Sequence, residues 1–160
     1  MREFNREEPI SFDIKEFENE KNFQEYIENK KYILEKRKDD LCYFSRKDYD
    51  TKGLRMNLFI SKDEVIKQIA YIDSIYYPSS KNLYISIFNV DPNYRNKGYG
   101  TQIYNIFEDK VLSEFDIKII TGKLGYWIEE KKREKFFKSL GFKLLSSSDD
   151  GRIDEIEKNF

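Results

Sequence analysis

Residues Ile85–Ile106 read ISIFNVDPNYRNKGYGTQIYNI, and the order of residue types in this stretch decides the fold. An apolar strand runs into a bend at Pro92, then into a short loop with a basic start and two glycines, and a helix opens at Gly100 or Thr101. The first amides of a helix lack intrahelical partners and sit at the positive end of its dipole. Anions collect at such ends. Gly98 and Gly100 carry no Cβ to hold a ligand's oxygens off the backbone, and Arg95 and Lys97 add charge at the same mouth. The stretch therefore predicts a phosphate cradle.

The spacing narrows which cradle it is. A dinucleotide-binding fingerprint needs G-x-G-x-x-G and a P-loop needs G-x-x-x-x-G-K-[ST], and the chain has neither. It has R-N-K-G-Y-G, Arg95 to Gly100, after Val90-Asp91-Pro92-Asn93-Tyr94. This resembles the R/Q-x-x-G-x-G/A signature of the GNAT (GCN5-related) N-acetyltransferases, together with the end of the strand that precedes it. About forty residues on, Phe136-Phe137-Lys138-Ser139-Leu140-Gly141-Phe142 resembles the family's F-Y-x-K-x-G-F stretch.

The resemblance covers about residues 54–160. It implies an α/β (α+β) GNAT fold: a mixed, mostly antiparallel sheet with splayed central strands flanked by helices. Residues 1–53 would form an N-terminal strand and helix region of one domain spanning 1–160. By resemblance, acetyl-CoA or another acyl-CoA is the cosubstrate, and no metal is required. The amides from Asn96 through Lys97, Gly98, Tyr99 and Gly100 to Thr101 would hold its pyrophosphate, with Arg95 and Lys97 flanking. Phe88, Asn89 and Val90 would line the acetyl–pantetheine slot, and a backbone N–H near Val90 would receive the developing oxyanion.

The implied reaction is direct attack of a neutral primary amine, from a small molecule or peptide, on the thioester. The chain departs from the family pattern at one position: the tyrosine that commonly protonates the leaving thiolate is replaced by Phe137. Tyr126 and Tyr104 are the candidate substitutes. Asp73, Glu129 and Glu130 are the candidate bases, although the two glutamates also suit a helix N-terminus. The alternative reading is a weak or inactive member of the fold that binds acyl-CoA or a protein partner.

Composition bounds the rest. A chain of 160 residues with 37% charged and 16% aromatic residues reads as one aromatic core under a densely charged surface. Such a length buries about 70% of the unfolded surface. Twenty-nine basic against 30 acidic residues supply no global field for nucleic acid or an anionic membrane. The absence of histidine excludes a Ser–His–Asp triad, a Cys–His dyad and any His-ligated metal site. The single cysteine, Cys42, reads as a buried thiol, with a catalytic thiol as the sharper alternative. Neither a signal peptide nor a membrane span is expected, so the location expected is cytoplasmic. Edge strands and abundant aromatics allow a homodimer.

Along the chain, alternation predicts a strand over Ile10–Phe17 and periodicity a helix from Asn19 to about Lys38, with Phe23, Ile27 and Leu34 on one face. Strands follow at Leu41–Phe44, Leu54–Ile60, Val65–Tyr76 and Leu83–Val90. The remaining elements are a helix over Thr101–Glu114, a strand over Ile117–Leu124, a helix over Glu129–Leu140, a strand over Phe142–Leu145, a turn over Ser146–Gly151 and a strand over Arg152–Lys158.

Overall fold

The structure, a computed structural model, describes residues 15–47, 52–123, 130–146 and 153–160. Tyr126, Glu129, most of the Ile10–Phe17 segment and most of the Ser146–Gly151 turn lie outside them. The elements in chain order are β1 (Glu16–Phe17), α1 (Glu20–Asn29), β2 (Ile33–Lys38), β3 (Leu41–Lys47), β4 (Leu54–Lys62), β5 (Val65–Tyr77) and β6 (Asn82–Val90). They continue with α2 (Tyr99–Glu114), β7 (Ile119–Lys123), α3 (Glu130–Ser139), β8 (Lys143–Leu145) and β9 (Glu155–Asn159).

All of these strands join one sheet in the order β2-β3-β4-β5-β6-β7-β9-β8, with β1 continuing along β5 beyond the end of β6. Every neighbouring pair is antiparallel except β6 and β7, which the α2 crossover makes parallel. The mixed, mostly antiparallel sheet flanked by helices is the expected architecture. Tight turns set the meander's register: between Lys62 and Val65, Asp63 and Glu64 have φ of 52° and 66°. That is the backbone a two-residue hairpin turn needs.

Strand alternation splits the apolar residues between two faces. Met56, Leu58 and Ile60 point to one face, where Ile103, Tyr104, Phe107 and Val111 of α2 and Phe137 and Leu140 of α3 complete the larger core. Phe59, Cys42 and Phe44 point to the other, under Phe23 and Ile27 of α1. Asn19 caps α1 by accepting from the Asn22 N–H at 2.8 Å. Cys42 is 5% exposed, and burial pushes its thiol up to about 11, away from the thiolate form a nucleophile needs.

One expected element is corrected. The helix stops at Asn29, and residues 33–38 form an edge strand paired with β3. Lys31 has φ of 59°, which ends the helix, and Tyr32 N–H folds back to the Ile27 carbonyl at 3.0 Å. Past that turn no apolar face remains to bury: Ile33 is 61% and Leu34 46% exposed. Main-chain pairing with β3 decides the outcome, closed by the two-residue Asp39–Asp40 turn with Asp39 at φ of 53°.

Candidate active site

β6 and β7 pair only from Asn82–Ile85 against Ile119–Gly122. Among the described residues, β6 runs on to Val90 without a β7 partner, which leaves a gap beside its last residues. The β6–β7 pairing ends where a bulge interrupts the β5–β6 ladder: Asp73 pairs with Ile87 and Ser74 with Ile85, leaving Ser86 as the extra residue. A bulge bends its strand and sharpens the local twist. On the far side, β6 stays paired with β5 through Val90–Ala70, and the Asp91 N–H donates to the Ile69 carbonyl at 2.8 Å. Main-chain groups alternate in direction along a strand. The N–H and C=O of Phe88 and Val90 therefore face away from β5, into the gap.

The loop that follows is built by Asp91. Its carboxylate is 1% exposed, and Oδ1 accepts from the Asn93 N–H at 3.0 Å, which caps the single 3-10 turn Pro92–Tyr94. Oδ2 faces the Lys67 ammonium at 3.3 Å. Lys67 and Lys97 stand over the Tyr94 ring at 5.2 and 5.5 Å from its centroid. Asn96 and Gly98 take left-handed backbone, φ of 62° and 86°. An L side chain tolerates this poorly apart from Asn and Asp, which accounts for glycine at 98.

Gly98 is the N-cap of α2 with no side-chain cap, and its carbonyl accepts the first helical bond from the Gln102 N–H at 3.1 Å. The amides of Tyr99, Gly100 and Thr101 thus have no partner within the helix, and the first turn holds no acidic residue. The loop fits a pyrophosphate by charge and by donors. Arg95 does something the sequence did not predict. Its head turns back to the strand end, Nε donating to the Val90 carbonyl at 2.9 Å and a terminal nitrogen to the Asn89 side-chain oxygen at 3.4 Å.

The wall facing β6 is aromatic. Phe88 stacks on Tyr104 at 6.2 Å between centroids and meets Phe136 and Phe137 edge-on at 5.6 and 5.8 Å. Phe137 is 4% exposed and packs on Phe142 at 5.7 Å. Arg133, one turn earlier on α3, reaches across the gap and donates to the Phe88 carbonyl at 3.4 Å. Sequence reasoning missed Arg133, Asp91 and Lys67. The Asp-Pro step was a readable turn signal for the second, but the other two depend on tertiary contacts.

The structure argues against two of the catalytic candidates. Tyr104 is wholly buried among Phe88, Phe107 and Phe142, and its hydroxyl, beside Glu108, makes no hydrogen bond of good geometry. Burial, then the charge of Glu108, raises its pKa far above the usual phenol range. It is a core residue without a path to solvent. Tyr104→Phe is accordingly expected to leave turnover unchanged and to hold or raise the urea midpoint, because a buried orphan hydroxyl costs about 1–3 kcal/mol. A drop in turnover beyond threefold would restore it as an acid. Asp73 is held by Arg55 at 2.6 Å through Oδ2, while Oδ1 accepts from the Ser74 N–H at 3.1 Å. Both oxygens are engaged within the sheet.

A model of the acetyltransferase (GNAT) family matches residues 5–142 of the chain. No curated protein matches it in sequence. Among solved structures, the chain is similar to a GNAT-family acetyltransferase from Staphylococcus aureus MU50, with a TM-score of 0.56, 13% identity and 71% of each chain covered. It is similar to the IAA acetyltransferase from Bacillus cereus ATCC 14579, with a TM-score of 0.54, 12% identity and coverage of 70% of this chain and 81% of that one. It is also similar to Arabidopsis thaliana Naa50 in complex with the bisubstrate analogue CoA-Ac-MVNAL, with a TM-score of 0.52, 16% identity and coverage of 93% and 100%. At these identities the likeness is one of fold.

Proposed function

The chain belongs to the acetyltransferase (GNAT) family, and on that premise we propose that it transfers an acetyl group from acetyl-CoA to a primary amine of a small molecule or peptide by direct attack. One observation carries this reading: the part of β6 not paired with β7 among the described residues leads straight to the amides at the start of α2, which have no partner within the helix. A pyrophosphate on those amides places the pantetheine arm along Phe88–Val90, where main-chain groups face the gap. The bisubstrate ligand of the Arabidopsis neighbour keeps peptide amines among the acceptors to be tried.

Each residue has a defined part. Gly98, Tyr99, Gly100 and Thr101 bind the pyrophosphate through their N–H groups, with Lys97 beside them. Arg95 ties the loop to the strand end and so holds the cradle in register with the slot. A main-chain N–H of Phe88 or Val90 receives the oxyanion. An aliphatic amine has a pKa near ~10.4, so water in the open side of the gap takes its proton before attack.

The buried Phe137 favours a second reading, in which acyl-CoA is bound and no acetyl group moves. Incubating the protein with acetyl-CoA and a panel of primary amines and N-terminal peptides, with free CoA thiol followed by a chromogenic disulfide, separates the two. Amine-dependent thiol release is the expected result. Release that never exceeds the no-amine control would leave the binding reading alone.

A further inference from the structure

Arg133 joins the two walls of the gap. Its guanidinium carbon lies 5.9 Å from the centroid of the Phe137 ring on one side, and a terminal nitrogen donates to the Phe88 carbonyl on the other. Arg95 makes the matching contact two residues along, at the Val90 carbonyl. Carbonyls on the same side of a strand recur roughly every 7 Å. The edge of β6 that β7 leaves free among the described residues therefore carries two guanidinium contacts, one at the loop end and one deeper in the slot. Burial, with the charge of Arg95 acting the same way, lowers the pKa of Arg133 to about 10, which still leaves it charged at neutral pH. Like charges held in a partly desolvated cleft favour an anion between them.

Acyl transfer creates such an anion. The amine lone pair forms the C–N bond as the carbonyl π pair moves to oxygen, and the C=O then re-forms as the C–S bond breaks. Sulfur leaves with the bonding pair as the CoA thiolate, and the proton lost by the attacking nitrogen passes to water. The products are an amide, CoA thiolate and a proton. Phe137 offers the sulfur no proton, and Tyr104 is sealed in the core.

We propose that Arg133 is a catalytic residue of this protein, whose guanidinium neutralises the CoA thiolate as it leaves. This rests on the acetyl-CoA reading and goes beyond it by naming the leaving-group partner. Arg133 acts as a fixed cation and hydrogen-bond donor and keeps its own protons. Its contact with the Phe88 carbonyl holds it at the slot, and the ring of Phe137 beneath it limits where the head can go.

The test compares the wild-type protein with Arg133→Gln and Arg133→Lys in two readouts. In the first, acetyl-CoA affinity is measured by calorimetry and kcat with the best amine of the panel. Arg133→Gln is expected to keep the dissociation constant within about threefold and to lose about 100-fold in kcat, with Arg133→Lys recovering at least tenfold, in line with loss of one preorganised donor. In the second, the ultraviolet absorbance of bound CoA is read near the ~8.5 pKa of a free thiol. A larger thiolate fraction is expected on the wild type than on Arg133→Gln, a signature that a packing role would not produce. If Arg133→Gln does not fold, Arg133→Lys serves in both readouts, with smaller differences of the same sign. A kcat within threefold of wild type, equal thiolate fractions, or a wild type that binds acetyl-CoA and acetylates no amine would each overturn the proposal. A wild type that does not bind acetyl-CoA removes the reading beneath it.

Discussion

Gly53→Ala is expected to lower stability by about 3 kcal/mol or more, the upper end of what overpacking costs. A Cβ at Gly53 would lie 1.8 Å from the Ser74 carbonyl oxygen and 2.4 Å from its carbon. Those are backbone atoms, which cannot swing aside as the tip of a side chain can. The neighbouring contacts hold them in place: the Ser74 hydroxyl accepts from the Leu54 N–H at 2.9 Å and donates to the Leu54 carbonyl at 2.8 Å. Ser74 itself is fully buried. The clash must therefore lift the start of β4 off β5, next to the bulge that opens the gap. Urea unfolding gives the value directly, and a midpoint shifted by less than the equivalent of 1 kcal/mol would contradict this packing.

Asp91→Ala is expected to cost about 2–3 kcal/mol and to weaken acetyl-CoA binding at least tenfold. Removing one partner of a buried ion pair costs roughly 3–5 kcal/mol. The lower figure applies because Lys67 is 19% exposed and can regain water. Binding suffers because the Asx cap on the Asn93 N–H is lost and the loop's approach to Gly98 is no longer fixed. Asp91→Asn, which keeps an acceptor for Asn93 and loses the charge, is expected to fall between. The two effects are read separately by urea unfolding and by calorimetric titration of the folded variant. Wild-type affinity in Asp91→Ala would show that the cradle does not depend on this carboxylate.

The central elements were legible in the sequence for local reasons. The order of strand, Asp-Pro bend, basic loop, two glycines and helix leaves one arrangement, because positive φ at Gly98 and the helix start at Tyr99 are nearest-neighbour effects. Ile103, Phe107 and Val111, each four residues apart on α2, lie together in the core. Residues 30–38 failed because their charges suit a solvated helix and an edge strand equally well. The deciding facts, the left-handed Lys31 and the pairing with β3, are tertiary. The Asp39–Asp40 pair, a readable turn signal, marks where β2 ends and not where α1 does.

The candidate site divides the same way. The loop residues stand where the spacing placed them, at the mouth of the gap between β6 and β7. Arg95 was expected to flank the pyrophosphate, and its head also bonds to the end of β6. Tyr104 was read as a candidate acid from its side chain alone. Its position on the inward stripe, one residue after Ile103, already placed it in the core. Arg133 gave no signal within EKKREK, since six charged residues in a row read as a solvated face. Only the fold shows which of them turns inward to β6.

Everything proposed for this chain depends on an acyl-CoA entering the gap between β6 and β7, with its pyrophosphate on the loop at the mouth. Calorimetric titration of the wild-type protein with acetyl-CoA tests it most directly. One saturable site per chain is expected, weakened at least tenfold in Asp91→Ala while that variant remains folded. No saturable heat, or equal affinity in the two proteins, would contradict it.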